Sequence, residues 1–175
     1  AFGHGGEAQA GGYVPRLLSM LALGDVRYFV VKDPAFAGAL DTNAYRDRIQ
    51  ELSRLLDATD PDLSAFKARG GKVIMKENTA DYVQSAETGF SYYDSVSKGF
   101  GAKATADFVR MYVTPGANHN GNGTLADGSA LPDRTDLLAV LDDWVEGRRA
   151  APKTLEQSAH GASAPFDVLA TRPMC

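Results

Sequence analysis

One aspartate and one histidine in this sequence each follow a short apolar run. Asp81 ends the stretch 70–81, whose apolar centre is Val-Ile-Met, and His119 ends the stretch 108–119, whose centre is Met-Tyr-Val. Each run predicts a buried strand. Because functional groups collect at the carboxyl ends of the strands in an open parallel sheet, we expect Asp81 and His119 to lie side by side.

An aspartate beside a histidine is an acid and base pair. The carboxylate fixes the tautomer of the imidazole and stabilises the imidazolium that forms when the histidine takes a proton. The order Asp81 and then His119 is that of the second half of a Ser–Asp–His triad. Taken alone, the residue pattern favours structural roles, with Asp81 as a turn residue or helix cap and His119 as a surface or loop-anchoring histidine.

A nucleophile is not evident in this sequence. The pattern G-x-S-x-G does not occur, Ser91 lies inside a predicted helix, and Ser129 follows His119 in the wrong order for the triad. His4 and His160 lie among small residues, which indicates a solvent-facing position, and the histidines and acids show no metal-binding spacing. We therefore expect no metal and no cofactor.

The composition indicates an ordinary globular chain and excludes two classes of partner. The 175 residues suit one domain, with 44% hydrophobic and 23% charged residues. A net charge of -4 without a basic run argues against nucleic acid. No stretch approaches the roughly 20 apolar residues of a membrane span.

Hydrophobic spacing and capping residues predict alternating helices and strands. Helices are expected over residues 13–23, ending at Gly24, from Asp41 or Thr42 to residue 57, and over residues 60–70. Another is expected from Ser85 to residue 98, ending at Gly99 and Gly101. The last is expected from Asp133 or Thr135 to residue 147, with Val145 on its buried face. Strands are expected at 73–75 and 108–113, joined by a right-handed crossover. Residues 28–31 suggest a strand or an extended connection.

These elements place the chain in the α/β class, with parallel strands and crossover helices. We expect three segments: a glycine-rich end and helix over residues 1–27, the main domain over residues 28–147, and an irregular tail without a clear element over residues 148–175.

Several segments together resemble the tannase and feruloyl esterase family of α/β-hydrolases. The first is residues 60–74, DPDLSAFKARGGKVI, which is followed by Ala80-Asp81 and the pair Tyr92-Tyr93. The resemblance continues through RMYVTPG at 110–116, His119, DWVEG at 143–147, Ala151-Pro152 and RPMC at 172–175. It implies that this chain is the carboxyl-terminal part of an α/β-hydrolase catalytic domain, a partial fold.

The same resemblance implies catalytic roles for Asp81 and His119, as acid and base of the triad, which reverses the preference for structural roles. It also implies that the serine, the oxyanion hole and a lid domain precede Ala1, and that the enzyme is secreted or periplasmic. Two departures stand out: Lys76-Glu77-Asn78-Thr79 replaces a His-Gly-Trp-like run, and Asn120 replaces a cysteine that pairs with one before the nucleophile.

We therefore expect a fragment or subunit of a carboxylic ester hydrolase that acts on phenolic acid esters such as gallates or ferulates, and that is inactive alone. The alternative is a non-catalytic binding or scaffold domain that keeps half of the hydrolase fold. A truncated sheet exposes a strand edge, so we expect the amino-terminal part of the esterase as partner, or self-association into a homo-oligomer. Cys175, the single cysteine, is either a free thiol or one half of a bond.

Overall fold

The computed structural model describes residues 20–174. The chain divides into two compact units, with the boundary in the sequence between Thr59 and Asp60. This division differs from the boundary expected between residues 27 and 28. The glycine-rich start with His4, most of the helix predicted over residues 13–23, and Cys175 lie outside the described residues. No helix within residues 20–174 is long and apolar enough to cross a membrane.

The first unit contains two helical segments. Residues 20–25 are α-helical and run directly into a π-helix, Val26–Val31, so the stop predicted at Gly24 and the extended segment predicted for residues 28–31 are both wrong. Val26 and Val30 line one groove, as the spacing of four residues on a helix allows. The Nε atom of Arg48 donates to the carbonyl of Phe29 at 2.8 Å.

The second helix of this unit, α1 (Arg46–Leu56), confirms the helix predicted to end near residue 57. It begins later than expected, because neither Asp41 nor Thr42 caps it. The side chain of Asp41 accepts a hydrogen bond from the amide of Asn43 at 3.0 Å and so closes the turn before the helix.

The second unit is built on a parallel pair of strands, β1 (Val73–Asn78) and β2 (Val109–Thr114), with the register Val73 to Val109 through Asn78 to Thr114. The parallel pairing that was predicted is confirmed. Before β1 lies α2 (Ser64–Ala68), followed by Gly70 with a φ of +79°. This left-handed backbone suits glycine, as expected for the residue that ends the helix.

Two helices connect the strands, α3 (Ala86–Phe100) and α4 (Ala102–Ala106). The Oγ atom of Ser85 accepts from the amide of Glu87 at 3.3 Å, which confirms the predicted cap. Gly99 does not end α3, whereas Gly101, with a φ of +82°, does. The short helix α4 was not predicted.

Alternating residues of the strands bury both faces of the sheet. On one face Val109 packs with Val96 of α3 and Phe108, while partly buried side chains of α2, α3 and β1 surround them. On the other face Tyr112 packs with Leu155 and Met174. The sheet is thus covered on both sides.

The cover of the second face includes a hairpin of β3 (Leu155–His160) and β4 (Val168–Met174), which pair antiparallel. The irregular tail expected over residues 148–175 is therefore wrong. In β3 the buried side chains alternate as a strand requires, but one of them is the polar Gln157, which hides the apolar alternation in the sequence.

The remaining helix, α5 (Leu137–Val145), is capped by Asp136, whose side chain accepts from the amide of Ala139 at 2.9 Å. The caps predicted at Asp133 or Thr135 are wrong, because the amide of Asp133 and the Thr135 hydroxyl bond to carbonyls of β3 instead. Val145 is 53% exposed, so its predicted place on the buried face of the helix is also wrong.

Candidate active site

The turns beyond β1 and β2 bring Asp81 and His119 together. Asp81 lies three residues past the end of β1, and His119 lies five residues past the end of β2. The distance between Nδ1 of His119 and Oδ2 of Asp81 is 2.9 Å. The contact expected between the two side chains is confirmed.

Backbone amides orient the carboxylate of Asp81. Its Oδ1 atom accepts from the amide of Val83 at 2.8 Å and from that of Gln84 at 3.0 Å, which leaves Oδ2 for His119. Burial raises the pKa of Asp81, but the amide of Gln84, the hydrogen bond to His119 and the amide of Val83 outweigh it, so the net pKa lies below the usual value. The carboxylate is therefore ionised at neutral pH.

This ionised partner determines the tautomer of His119. A carboxylate only accepts hydrogen bonds, so the proton of the neutral imidazole must sit on Nδ1. The other nitrogen, Nε2, then carries a lone pair, and no group among residues 20–174 is hydrogen-bonded to it. Since 47% of the His119 side chain is exposed, Nε2 is free to take a proton from an incoming hydroxyl.

Neither serine considered from the sequence contacts this imidazole. The Oγ atom of Ser129 donates to Asp127 at 2.6 Å, and Ser91 lies within α3, where its carbonyl accepts from the hydroxyl of Ser95. Within the described part of the chain, the pair therefore has an acid and a base without a bonded nucleophile. The same residues contain no group of three histidine, cysteine, aspartate or glutamate side chains arranged for a metal ion.

Two charged residues of the Lys76–Thr79 run are partly buried, and one of them, Glu77, is close enough to Asp81 to feel its charge. Burial raises the pKa of Glu77, and the negative charge of Asp81 raises it further. Burial lowers the pKa of Lys76, against an opposing effect of Asp133. From the sequence, this run was noted only as a departure from the family pattern, and the effect of Asp81 on the pKa of Glu77 was not predicted.

His160 is also hydrogen-bonded, contrary to the solvent-facing position predicted for it. Its Nδ1 lies 2.8 Å from the carbonyl of Phe166, which can only accept, so Nδ1 carries the proton. Its Nε2 therefore accepts from the hydroxyl of Ser158, also at 2.8 Å. Both contacts lie within the β3–β4 hairpin, and the contact to Phe166 spans its turn.

Comparisons with known proteins agree on one group of enzymes. The family model described as "Tannase and feruloyl esterase" matches residues 12–175. A mono(2-hydroxyethyl) terephthalate hydrolase of Piscinibacter sakaiensis is 38% identical over 67% of this chain and 18% of its own length. A probable feruloyl esterase of Arthroderma benhamiae is 31% identical over 86% of this chain and 28% of its own length.

Solved structures show the same likeness in three dimensions. Feruloyl esterase B from Aspergillus oryzae superposes with a TM-score of 0.68 and 20% identity, over 86% of this chain and 32% of that structure. Tannin acyl hydrolase from Aspergillus niger gives a TM-score of 0.62 with 24% identity, over 86% of this chain and 29% of that structure. The chain thus spans less than a third of the length of each of these four proteins.

Proposed function

Since the chain belongs to the tannase and feruloyl esterase family, we propose that it supplies the acid and base of a serine esterase that cleaves esters of phenolic acids. The observation that carries the proposal is the 2.9 Å contact between Asp81 and His119 at the ends of two adjacent parallel strands. The sheet would then be the carboxyl-terminal part of an α/β-hydrolase domain.

In this reaction His119 Nε2 takes the proton of a serine hydroxyl, which attacks the ester carbonyl to form an acyl-enzyme. Asp81 stabilises the imidazolium of His119. The imidazolium then returns the proton to the departing alcohol. Water then repeats the sequence and releases the phenolic acid. The serine and the oxyanion donors belong to sequence outside this chain, so the 175 residues alone should not turn over an ester.

The test compares this chain with a longer protein that includes the sequence encoded upstream in the same reading frame. Hydrolysis of methyl gallate, methyl ferulate and mono(2-hydroxyethyl) terephthalate is followed by chromatography. We expect turnover by the longer protein only. Asp81→Asn should reduce kcat about 10⁴-fold, because an amide favours the wrong tautomer of the histidine.

Asp81→Asn keeps an oxygen that can accept hydrogen bonds from the amides of Val83 and Gln84, so the turn should keep its fold. A loss of activity in this variant then reports the loss of the negative charge. His119→Ala should be at least as severe. Turnover by the 175 residues alone that disappears in His119→Ala would contradict an external nucleophile. An upstream sequence without a serine elbow, or a longer protein that is unaffected by His119→Ala, would favour a binding or scaffold domain instead.

The proposal extends to the partners and the location of the protein. We expect the 175 residues either to bind the amino-terminal part of the esterase or to self-associate, because β1 pairs only with β2 among the described residues. Light scattering after size-exclusion chromatography tests this expectation, and a stable monomer would contradict it. We also expect the enzyme to be secreted or periplasmic, which cell fractionation tests.

A further inference from the structure

The side chain of His119 is half exposed, and four residues, 115–118, separate His119 from the end of β2. Something must hold this stretch, because a displacement of about 1 Å can cost a catalytic group 10²-fold in rate. We propose that the side chains of Asn78 and Thr79 position His119 by clamping residues 116–118 to the end of β1. This proposal rests on the proposed role of His119 as the base.

Two side-chain hydrogen bonds form the clamp. The Nδ2 atom of Asn78 donates to the carbonyl of Asn118 at 2.9 Å, directly before His119. The Oγ1 atom of Thr79 accepts from the amide of Gly116 at 3.0 Å. Gly116 has a φ of +76°, the left-handed backbone that starts the turn after β2. The clamp therefore fixes the loop at its first turn and again next to the histidine.

Backbone hydrogen bonds continue the same attachment. The amide of Thr79 donates to the carbonyl of Thr114 at 3.2 Å, and that of Ala80 donates to Ala117 at 3.0 Å. Ala117 is fully buried, so the middle of the stretch is anchored by packing as well. Residues 78–80 thus hold residues 114–118, and the next residue on each side is Asp81 or His119.

The Asn118 carbonyl accepts two hydrogen bonds, one from the side chain of Asn78 and one from the amide of Gly121, the latter at 2.9 Å. The Asn118 amide donates to the carbonyl of Asn122 at 2.8 Å, and its Oδ1 atom accepts from the amide of Asn120 at 3.0 Å. The carbonyl, the amide and the Oδ1 atom of Asn118 are therefore all hydrogen-bonded, and Asn78 is the β1 residue whose side chain binds this carbonyl.

The clamp uses residues from the run in which this sequence departs from the family pattern. Asn78 and Thr79 belong to Lys76-Glu77-Asn78-Thr79, and Asn120 stands where the resemblance implies a cysteine. Without that cysteine, no disulfide at residue 120 can hold the histidine loop. Two polar side chains at the end of β1 provide an attachment of a different kind.

The experiment measures the state of His119 rather than stability. In the 175-residue chain, we expect a far-downfield proton resonance for the Nδ1–H that is donated to Asp81, protected from exchange with water. Asp81→Asn removes the carboxylate that accepts this proton, so this reference variant should lack the resonance. Thr79→Val and Asn78→Ala should each abolish or strongly weaken this resonance, whereas Thr79→Ser, which keeps the hydroxyl, should retain it.

Circular dichroism and the dispersion of the other amide resonances show which variants keep their fold. If Thr79→Val or Asn78→Ala unfolds, the variant that stays folded carries the test. In the longer protein, Thr79→Val should lower kcat at least 10-fold with little change in KM, and Thr79→Ser should restore most of it. A structural role alone would leave the His119 resonance and kcat of folded variants unchanged.

The outcomes separate this inference from the proposed function. If Asp81→Asn removes the resonance while folded Thr79→Val and Asn78→Ala retain it, the clamp is wrong and the catalytic pair stands. If the parent chain shows no protected Nδ1–H, or Asp81→Asn leaves it in place, the pair itself is wrong and both proposals fail.

Discussion

The carboxylate of Glu77, at the end of β1, lies directly against Gly89 in the second turn of α3. A methyl group at Gly89 would overlap with Oε1, Cδ and Cγ of Glu77. Gly89 is buried, and its lack of a side chain is what allows the helix to pass so close to the glutamate. This contact places a carboxylate between the helix and the turn that carries Asp81.

Gly89→Ala should therefore destabilise the chain, although alanine is the better helix former. The methyl group must displace the flexible end of the Glu77 side chain, so we expect a cost at the lower end of the roughly 1–3 kcal/mol typical of overpacking, which chemical denaturation would detect as a lower midpoint. Gly99→Ala is the matched control in the same helix, since nothing lies within 4 Å of its added methyl group. It should stabilise by roughly 0.5–1 kcal/mol.

The double variant Glu77→Ala with Gly89→Ala identifies the cause. It should recover most of the loss caused by Gly89→Ala relative to Glu77→Ala alone, because the overlapping atoms are gone. Equal losses from Gly89→Ala in both backgrounds would contradict the contact.

Glu77→Gln should stabilise the chain at neutral pH but not in acid. Burial and Asp81 raise the pKa of Glu77 in the folded state, so the folded chain holds this proton more tightly than the unfolded chain. Stability then falls as the pH rises from the unfolded pKa, about 4.3, through the folded one. A glutamine has the same shape without the charge and avoids this loss.

Urea denaturation of both proteins at pH 7 and near pH 3 measures the effect. We expect a higher midpoint for Glu77→Gln at pH 7 and equal midpoints near pH 3. The control is Glu87→Gln in the exposed first turn of α3, where a negative charge favours the helix. A gain from Glu77→Gln that is the same at both pH values would rule out titration as its cause.

The sequence was sufficient to place Asp81 and His119, because both lie just beyond apolar runs and parallel pairing brings such ends together. The contacts that support them were not predictable in the same way. Glu77 meets Gly89 across twelve residues, and Asn78 meets Asn118 across forty. The first contact depends on how α3 packs on β1, and the second depends on the register of β1 with β2. Hydrophobic periodicity gives neither.

The elements that were missed have identifiable physical causes. The run 28–31 is β-branched and aromatic, which favours a strand, but Val30 lies in a groove with Leu52 and is helical. The hairpin was hidden because β3 buries Gln157 and because most side chains of β4 are exposed. In each case tertiary contacts outweigh local preference.

His160 should matter for the order of the hairpin turn rather than for catalysis. His160→Ala removes both the contact to Phe166 and that to Ser158, so the amides of residues 161–167 should exchange faster with solvent. Ser158→Ala keeps the Phe166 contact and should have a smaller effect. Hydrogen exchange followed by mass spectrometry compares the three proteins, and equal exchange of this segment in all of them would contradict the prediction.

Tyr112→Phe should destabilise the second unit through a single buried atom. The Tyr112 side chain is fully buried in the core shared by β2 and the hairpin, and its hydroxyl donates to the carbonyl of Pro152 at 2.5 Å. Removing the hydroxyl leaves that carbonyl without this donor, at a cost of about 0.5–1.5 kcal/mol. Tyr82, which is 56% exposed, supplies the control Tyr82→Phe, expected to stay within about 0.5 kcal/mol of the parent chain. Both values come from denaturant unfolding at pH 7, and equal free energies of unfolding for the two variants would show that the Pro152 contact contributes nothing.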